Sequence, residues 1–284
     1  MSSDLPVPGQ LADLFAEGAG HRVLPGALPP GRIVRALDDR SGRPALWMSD
    51  GPASEGLWAQ AYADRSRSGL WPLFLEPLRN DEGYRPWESG ELAFKWSTPA
   101  DRHDPASLLA GWWANYTNYD PDYDPLTNAA ERHAVTAPYG TQWPGLAPGR
   151  EPAAGPDAMA LQYAAHLLSQ DPSLRLGLVA ADRGADALTA AGWTGPLNYT
   201  NDTGQIAAIM RSWEDRFGAR VVGVGFADLY VSVAAPPATL DEALPVAAEH
   251  FAFCPDNIWQ GHPHTLTGYA SRLAGTNTWE FWWD

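Results

Sequence analysis

The second half of the chain carries the clearest alternation of hydrophobic and polar positions. Apolar residues recur at offsets of 3, 4, 7 and 11 along residues 206–217, which is the spacing of one buried helical face. Asp202 is a suitable N-cap for this helix, and Gly218 is a suitable stop. The pattern then predicts a β-hairpin followed by a further helix, over residues 220–226, 229–234 and 240–253. A helix, a hairpin and a helix packed on one sheet indicate an α+β fold, a mixed α/β sandwich.

The first half of the chain is less regular. Its patterns predict short helices and strands over residues 9–17, 32–37, 45–49, 54–64, 70–75 and 105–116. The apolar run LWPLFL has the length of a strand, but Pro72 argues against a central strand unless a bulge or an edge accommodates it. The Pro- and Gly-rich residues 149–156 are typical of a linker. We therefore predict an N-terminal α+β region over residues 1–148 and a C-terminal α+β domain over residues 157–284.

Composition and charge restrict the partners. The chain has 284 residues, of which 45% are hydrophobic, and a formal net charge of −15 with Lys95 as its single lysine. Affinity for nucleic acid and for anionic membranes comes mainly from basic side chains, so we expect neither partner. A basic protein or a small cationic ligand is favoured instead. The 14 tryptophans are too many for one binding site, and most are expected in the core.

Targeting and cofactor signals are absent from the sequence. One cysteine excludes an internal disulfide, and the N-terminal residues do not form a signal peptide. No apolar run approaches the roughly 20 residues that span a bilayer, so we expect a cytoplasmic protein whose oligomeric state is open. We predict no cofactor, because the common phosphate, dinucleotide, hydrolase and zinc motifs are missing. The glycines of Gly223-Val224-Gly225 lie inside a predicted strand, where a nucleotide fingerprint does not occur.

The segment from Glu249 to Asn257 holds the only cysteine and the main candidate for chemistry. His250 and Cys254 lie four residues apart, so they share one face of the predicted helix. That spacing suits a thiol paired with a base, or a metal site. The candidate catalytic residues are Cys254, His250, Glu249 and Asp256.

Two other interpretations of this segment stay open. A metal site would need further ligands, and the nearby additions are Glu249, Asp256, His262 and His264. Alternatively, Cys254 packs in the core as a small hydrophobe, and residues 256–257 cap the turn of the chain. The catalytic interpretation requires Cys254 to begin a new helix at Pro255, where the helix dipole stabilises a thiolate.

Two further groups of side chains are candidates for binding. The first is a candidate binding surface formed by Glu214, Asp215, Arg216, Asn257, Trp259 and His262. The second is the acidic segment 120–131, whose oxygen-bearing side chains match the spacing of a calcium-binding loop. Pro125 occupies the position where that loop needs glycine, so a solvated acidic loop is the favoured interpretation.

Four motifs in the C-terminal half carry a family resemblance. They are Gly192-Trp193-x-Gly195-Pro196, the segments 213–218 and 249–257, and the closing Phe281-Trp282-Trp283-Asp284. These motifs resemble the DUF4253 family, a bacterial domain of unknown function, and the run 143–148 is similar to its longer members. The resemblance implies a shared fold for the last ~110 residues, a domain of ordinary size. It implies no activity, so no functional residue is transferred from it.

Acidity, abundant aromatic residues and the lack of a complete catalytic set favour a non-catalytic binding module. An intracellular inhibitor of a basic partner would fit this description. The alternative is an enzyme of unknown reaction that uses Cys254, His250, Glu249 and Asp256.

Overall fold

A computed structural model describes residues 5–6, 9–15, 20–24, 26–37, 42–81, 83–118, 128–152 and 154–284. The strands are β1 (Leu5–Pro6), β2 (Val23–Leu24), β3 (Gly31–Arg35), β4 (Pro44–Ser49), β5 (Leu70–Leu75), β6 (Arg175–Ala180), β7 (Ala219–Val224), β8 (Asp228–Val233) and β9 (Thr278–Trp282). The helices are α1 (Gly9–Ala12), α2 (Leu57–Ala63), α3 (Arg65–Ser68), α4 (Pro105–Thr117), α5 (Ala129–Thr136), α6 (Pro156–Gln170), α7 (Gly184–Ala190), α8 (Thr203–Phe217), α9 (Leu240–Phe253), α10 (Asp256–Trp259) and α11 (Leu266–Leu273), with a 3-10 turn at Ala100–Arg102.

Seven strands form one mixed sheet in the order β3-β4-β6-β5-β7-β8-β9, and β1 pairs with β2 separately. Strands β5 and β7 are parallel, and the other neighbours in the seven-stranded sheet are antiparallel. The predicted helix, hairpin and helix are α8, β7–β8 and α9. The α+β fold is therefore confirmed.

Strands from the two halves of the chain interleave in this sheet. Strand β6 lies between β4 and β5, and β5 lies between β6 and β7. Strands β5 and β6 pair continuously from Leu70↔Ala180 to Leu75↔Arg175. A division of the chain at residues 149–156 would therefore cut one sheet between hydrogen-bonded neighbours. The predicted boundary does not separate two sheets.

Strand β5 is central in spite of Pro72, and its ladder shows why. On the side of β7, the pairing covers only Phe74 and Leu75. The backbone N–H of Glu76 points toward β7, where it donates to Val224. Because alternate residues of a strand point the same way, the missing N–H of Pro72 would also face β7, beyond the end of the ladder. There the indole of Trp71 donates to the Val221 carbonyl at 3.0 Å.

Helices cover both faces of the sheet, and β9 shows the alternation. The rings of Trp279 and Phe281 lie against Trp213 of α8. Glu280 points to the opposite face, where it accepts a hydrogen bond from Tyr163 of α6 at 2.6 Å. The prediction that most tryptophans are core is confirmed by nine buried ones, Trp47, Trp58, Trp71, Trp87, Trp113, Trp193, Trp213, Trp279 and Trp283. Within the described ranges, no helix combines the length and the apolarity needed to cross a membrane.

Candidate functional site

Glu249 is a fully buried structural clamp. Its Oε1 accepts hydrogen bonds from the backbone N–H of Ala147 at 2.6 Å and from Arg216 at 2.8 Å. Its Oε2 accepts from the indole N–H of Trp213 at 2.7 Å and from Arg216 at 2.6 Å. The carboxylate therefore joins α8, α9 and the segment before α6. Four hydrogen bonds to its two oxygens hold the carboxylate in place.

His250 is a neutral side chain packed among aromatic rings. The rings around it belong to Trp213, Tyr269, Trp279 and Phe281. Its Nδ1 lies 3.0 Å from the Tyr269 hydroxyl, which also accepts from the Asn257 amide at 3.2 Å. The direction of this hydrogen bond depends on the tautomer of the ring, and the buried Nε2 has no hydrogen-bond partner among the described residues. Complete burial, with a smaller contribution from Arg216, lowers the pKa of His250 to about 3.

Cys254 and Asn257 cap the open edge of β9. Cys254 ends α9, is fully buried and donates its S–H to the Trp282 carbonyl at 2.9 Å. The Asn257 amide donates to the Glu280 carbonyl at 2.6 Å and accepts from the Trp282 N–H at 3.2 Å. These two backbone groups point to the same side of the strand. The Asn257 side chain therefore occupies the place of a neighbouring strand and covers an edge that could otherwise pair with another chain.

Among the described residues, the predicted catalytic side chains form no direct hydrogen bond with one another, although Tyr269 and Asn257 link His250 to Cys254. Burial raises the pKa of the Cys254 thiol well above its ordinary value. Asp256 accepts from the Asp284 backbone N–H at 3.0 Å, and no hydrogen bond in the described part of the chain joins two of the four side chains. The geometry is that of the alternative in which Cys254 packs in the core, and it gives the catalytic set no support. Within the same ranges, no group of three His, Cys, Asp or Glu is placed to hold a metal ion.

We predict that Cys254 is unreactive in the native protein. At neutral pH a chromogenic disulfide reagent should label no thiol over minutes, and one thiol per chain after denaturation, because burial keeps this side chain protonated and covered. Rapid labelling of the native protein would contradict this prediction. It would show that the segment opens readily, and it would support Cys254 as a catalytic thiol.

The residues of the candidate binding surface have separate roles. Glu214 accepts from Arg183 at 2.7 Å and from the Ala185 N–H at 3.1 Å, and burial raises the pKa of Glu214. Asp215 is exposed and pairs with Arg183 at 2.8 Å, while Arg216 and Asn257 have the buried contacts given above. Trp259 lies under the guanidinium of Arg132, and the exposed His262 ring contacts that of His264. The structure does not bring these six side chains onto one surface.

Of the predicted calcium loop 120–131, residues 120–127 lie outside the described residues. At its end, Asn128 and Glu131 form a capping box at the start of α5. Their side chains satisfy backbone groups of that helix.

A cavity of about 530 Å³ opens beside the carboxyl ends of β5 and β7, the parallel pair of the sheet. Carboxyl ends of parallel strands are common places for ligand binding. The polar and aromatic side chains on its wall are Arg79, Phe226, Asp228, Tyr230, Glu280 and Trp282. We call this cavity, with Glu76 behind Tyr230, the acidic pocket.

Glycines make room for two carboxylates in the acidic pocket. A Cβ atom on Gly225 would lie 2.8 Å from an oxygen of Asp228 and 3.0 Å from an oxygen of Glu76. Those two oxygens are therefore no further apart than the sum of these distances. A Cβ atom on Gly223 would also press on the backbone of Phe74, at 3.0 Å. The absence of side chains at both positions lets the carboxylates and Tyr230 approach the sheet closely.

Two carboxyl groups of the acidic pocket have raised pKa values. Burial raises the pKa of Glu76, although this carboxylate accepts a hydrogen bond from Tyr230. Burial also raises the pKa of Asp228, and the positive charge of Arg79 offsets part of that increase. Glu280, opposite Tyr230 on β9, adds a third carboxylate. The ionised pocket is therefore less favourable in the folded protein than the same side chains are in water.

The turn that carries Asp228 is supported from behind by two tryptophans. Trp193 donates its indole N–H to the Gly225 carbonyl at 2.9 Å, and the backbone N–H of Trp283 donates to Ala227 at 3.1 Å. The two tryptophan rings also contact each other, with centroids 5.8 Å apart. Residues from two distant sequence motifs thus meet behind the acidic pocket.

A family model matches residues 175–284. The family is DUF4253, a domain of unknown function, and we call residues 175–284 the DUF4253 region. All four motifs that we compared with the family lie inside the DUF4253 region, whereas the run 143–148 lies outside the match. No curated protein and no solved structure matched the chain. The DUF4253 region supplies Asp228, Tyr230, Glu280 and Trp282 to the acidic pocket, and the preceding half of the chain supplies Glu76 and Arg79.

Little in the sequence indicates the acidic pocket. Its carboxylates come from the end of β5, the start of β8 and the middle of β9, which are far apart in the chain. No spacing rule links such positions. The one signal is the pair Gly223 and Gly225 within the strand predicted over residues 220–226, because glycine in a strand often marks a close approach of another group.

Proposed function

We propose that this protein is a binding module that holds a small cationic group in the acidic pocket. The observation that carries the proposal is the presence of two carboxylates, Asp228 and Glu280, on the wall of one cavity, with a third, Glu76, behind the Tyr230 side chain that also lines it. Arg79 is the single basic side chain on the described wall of that cavity. The pocket therefore has an excess of negative charge when its carboxylates are ionised.

A bound cationic ligand would reduce the free-energy cost of ionising these partly buried carboxylates. Partly buried carboxylates disfavour ionisation, and a bound cation reverses that preference by direct attraction. Trp282 adds an aromatic ring at the rim, where it is 38% exposed, and indole faces attract cations. The net charge of −15 would also raise the rate at which cations reach the pocket.

The size of the cavity favours a small molecule over a protein surface. Cavities of roughly 300–1,000 Å³ suit small ligands, and the acidic pocket has about 530 Å³. A single basic side chain of a protein partner carries the same chemistry and would enter the same cavity. As part of the proposal, we place this function in the cytoplasm of a bacterium.

Isothermal titration calorimetry with agmatine, which has a guanidinium and an ammonium group, tests the proposal. Glu76→Gln and Asp228→Asn should each weaken binding by about 10-fold or more, since hydrogen bonds to charged groups contribute about 1.5–3 kcal/mol. Affinity should fall as the pH is lowered through the raised pKa values of Glu76 and Asp228, because protonation removes the charges that attract the ligand.

Glu151→Gln is the matched control, because Glu151 is exposed and lies outside the pocket wall. It removes one negative charge from the protein and should leave the affinity within about 2-fold of the wild type, since exposed distant charges are screened by salt. Equal weakening by all three variants would show that only the overall charge attracts agmatine. No binding to the wild type would end the proposal.

A further inference from the structure

Arg79 stands apart from the other charges of the acidic pocket. It is exposed in the loop after β5 and lies on the wall of the cavity. Its charge acts on both Glu76 and Asp228. Nevertheless, no hydrogen bond or ion pair joins its guanidinium to any described residue. An arginine beside two carboxylates, without a close contact to either, leaves its N–H donors available to a ligand.

Other arginines of this protein form close ion pairs with carboxylates. Arg183 lies 2.7 Å from Glu214, and Arg216 lies 2.6 Å from Glu249. If Arg79 served as the internal counter-ion of the pocket, comparable distances to Glu76 or Asp228 would be expected. The cavity instead presents both signs of charge to its contents, because Arg79, Asp228 and Glu280 all line its wall.

We infer that the ligand of the acidic pocket is a zwitterion, with its cationic group beside Asp228 and the Tyr230–Glu76 pair, and a carboxylate at Arg79. A guanidinium and a carboxylate form two parallel hydrogen bonds, which fix orientation as well as adding affinity. An amino-acid-like molecule has both groups and fits the volume of the cavity. This inference rests on the proposed cation-binding function and adds the second half of the ligand.

Three related ligands separate the contributions of the two charges. Arginine has the carboxylate, arginine methyl ester has it blocked, and agmatine lacks it. The wild type should bind arginine about 10-fold more tightly than the ester, in keeping with about 1.5 kcal/mol for a charged hydrogen bond. This order would oppose the net charge of −15, which by itself favours the more cationic ester and agmatine.

Arg79→Gln should abolish the preference for arginine over its ester and leave agmatine binding no weaker than in the wild type. Arg102→Gln is the matched control, because Arg102 is exposed in the 3-10 turn and lies outside the pocket wall. That variant should keep the preference. Retention of the preference in Arg79→Gln would overturn the assignment of the carboxylate to this residue.

The outcomes distinguish this inference from the proposed function. If agmatine and the ester bind as tightly as arginine, and Arg79→Gln tightens them further, Arg79 is an internal competitor and the ligand is purely cationic. The cation site would then stand, and the zwitterion would be rejected. If none of the three ligands binds the wild type, both proposals are rejected.

Discussion

Glu249→Gln is expected to lower the free energy of unfolding by about 3–5 kcal/mol, the usual cost of breaking a buried ion pair. The carboxylate accepts two hydrogen bonds from Arg216, one from Trp213 and one from the backbone of Ala147. A glutamine has one acceptor oxygen and an amide that cannot face these donors. The change would leave the Arg216 charge uncompensated where it is mostly covered. Urea denaturation at neutral pH, followed by tryptophan fluorescence, measures the effect.

Glu242→Gln is the control for this prediction. Glu242 is on the same helix, and its ion pair with Arg150 is exposed to solvent, where such pairs contribute little. It should leave the urea midpoint nearly unchanged. A loss below about 1 kcal/mol in Glu249→Gln would contradict the clamp and show that its four contacts are replaced by water.

The isolated segment 175–284 is expected not to fold. In the full chain, β5 lies between β6 and β7, and all six of its residues are buried. Burial of one large apolar side chain contributes about 1.5–3 kcal/mol, so the loss of β5 removes on the order of 10 kcal/mol. That is comparable with the whole stability of a typical domain, about 5–15 kcal/mol. Circular dichroism and proton–nitrogen correlation spectra of the segment should show an unfolded chain.

Co-expression with the segment 1–174 provides the control. The two pieces together contain every strand of the sheet, so they should restore dispersed spectra and one cooperative transition. A cooperative transition in the segment 175–284 alone would show that the DUF4253 region can close its own sheet without β5.

The repeating patterns were sufficient to predict the elements of the second half. The apolar stripe of α8 and the hairpin β7–β8 follow from local periodicity, which the sequence contains in full. Local periodicity does not predict the central position of β5. Pro72 disfavoured a central strand, and the reason it is tolerated depends on where the β7 ladder stops and on the Trp71 indole. Both facts arise from tertiary packing, which a local pattern does not contain.

The sequence pattern favours a site at Cys254, whose burial and contacts it does not indicate. The contacts of Cys254 and Asn257 are with the backbone of β9, about 25 residues further along, and separations of that size carry no spacing rule. Both segments belong to the motifs that carry the family resemblance, and in the structure Cys254–Asn257 and Trp282–Trp283 form one unit. Predicting the acidic pocket would require the order of the strands in the sheet, which places Glu76 beside Asp228.

Neutralising a structural carboxylate and neutralising a carboxylate of the proposed cation site should change the free energy of unfolding in opposite directions. Glu249 has full compensation, so neutralising it destabilises the fold. Glu76 and Asp228 have raised pKa values, so their contribution to stability is greatest when they are protonated, below the pKa of the unfolded chain. That contribution is lost as the pH rises through the folded pKa. At neutral pH these two side chains therefore oppose folding, as expected where charge is kept for a ligand.

The most direct test compares Glu76→Gln with the wild type at neutral pH, by urea denaturation and by agmatine titration of the same samples. The glutamine can still accept the hydrogen bond from Tyr230. We predict a higher urea midpoint together with an affinity for agmatine lower by about 10-fold or more. A lower midpoint with unchanged affinity would contradict the account, because Glu76 would then be a structural carboxylate like Glu249.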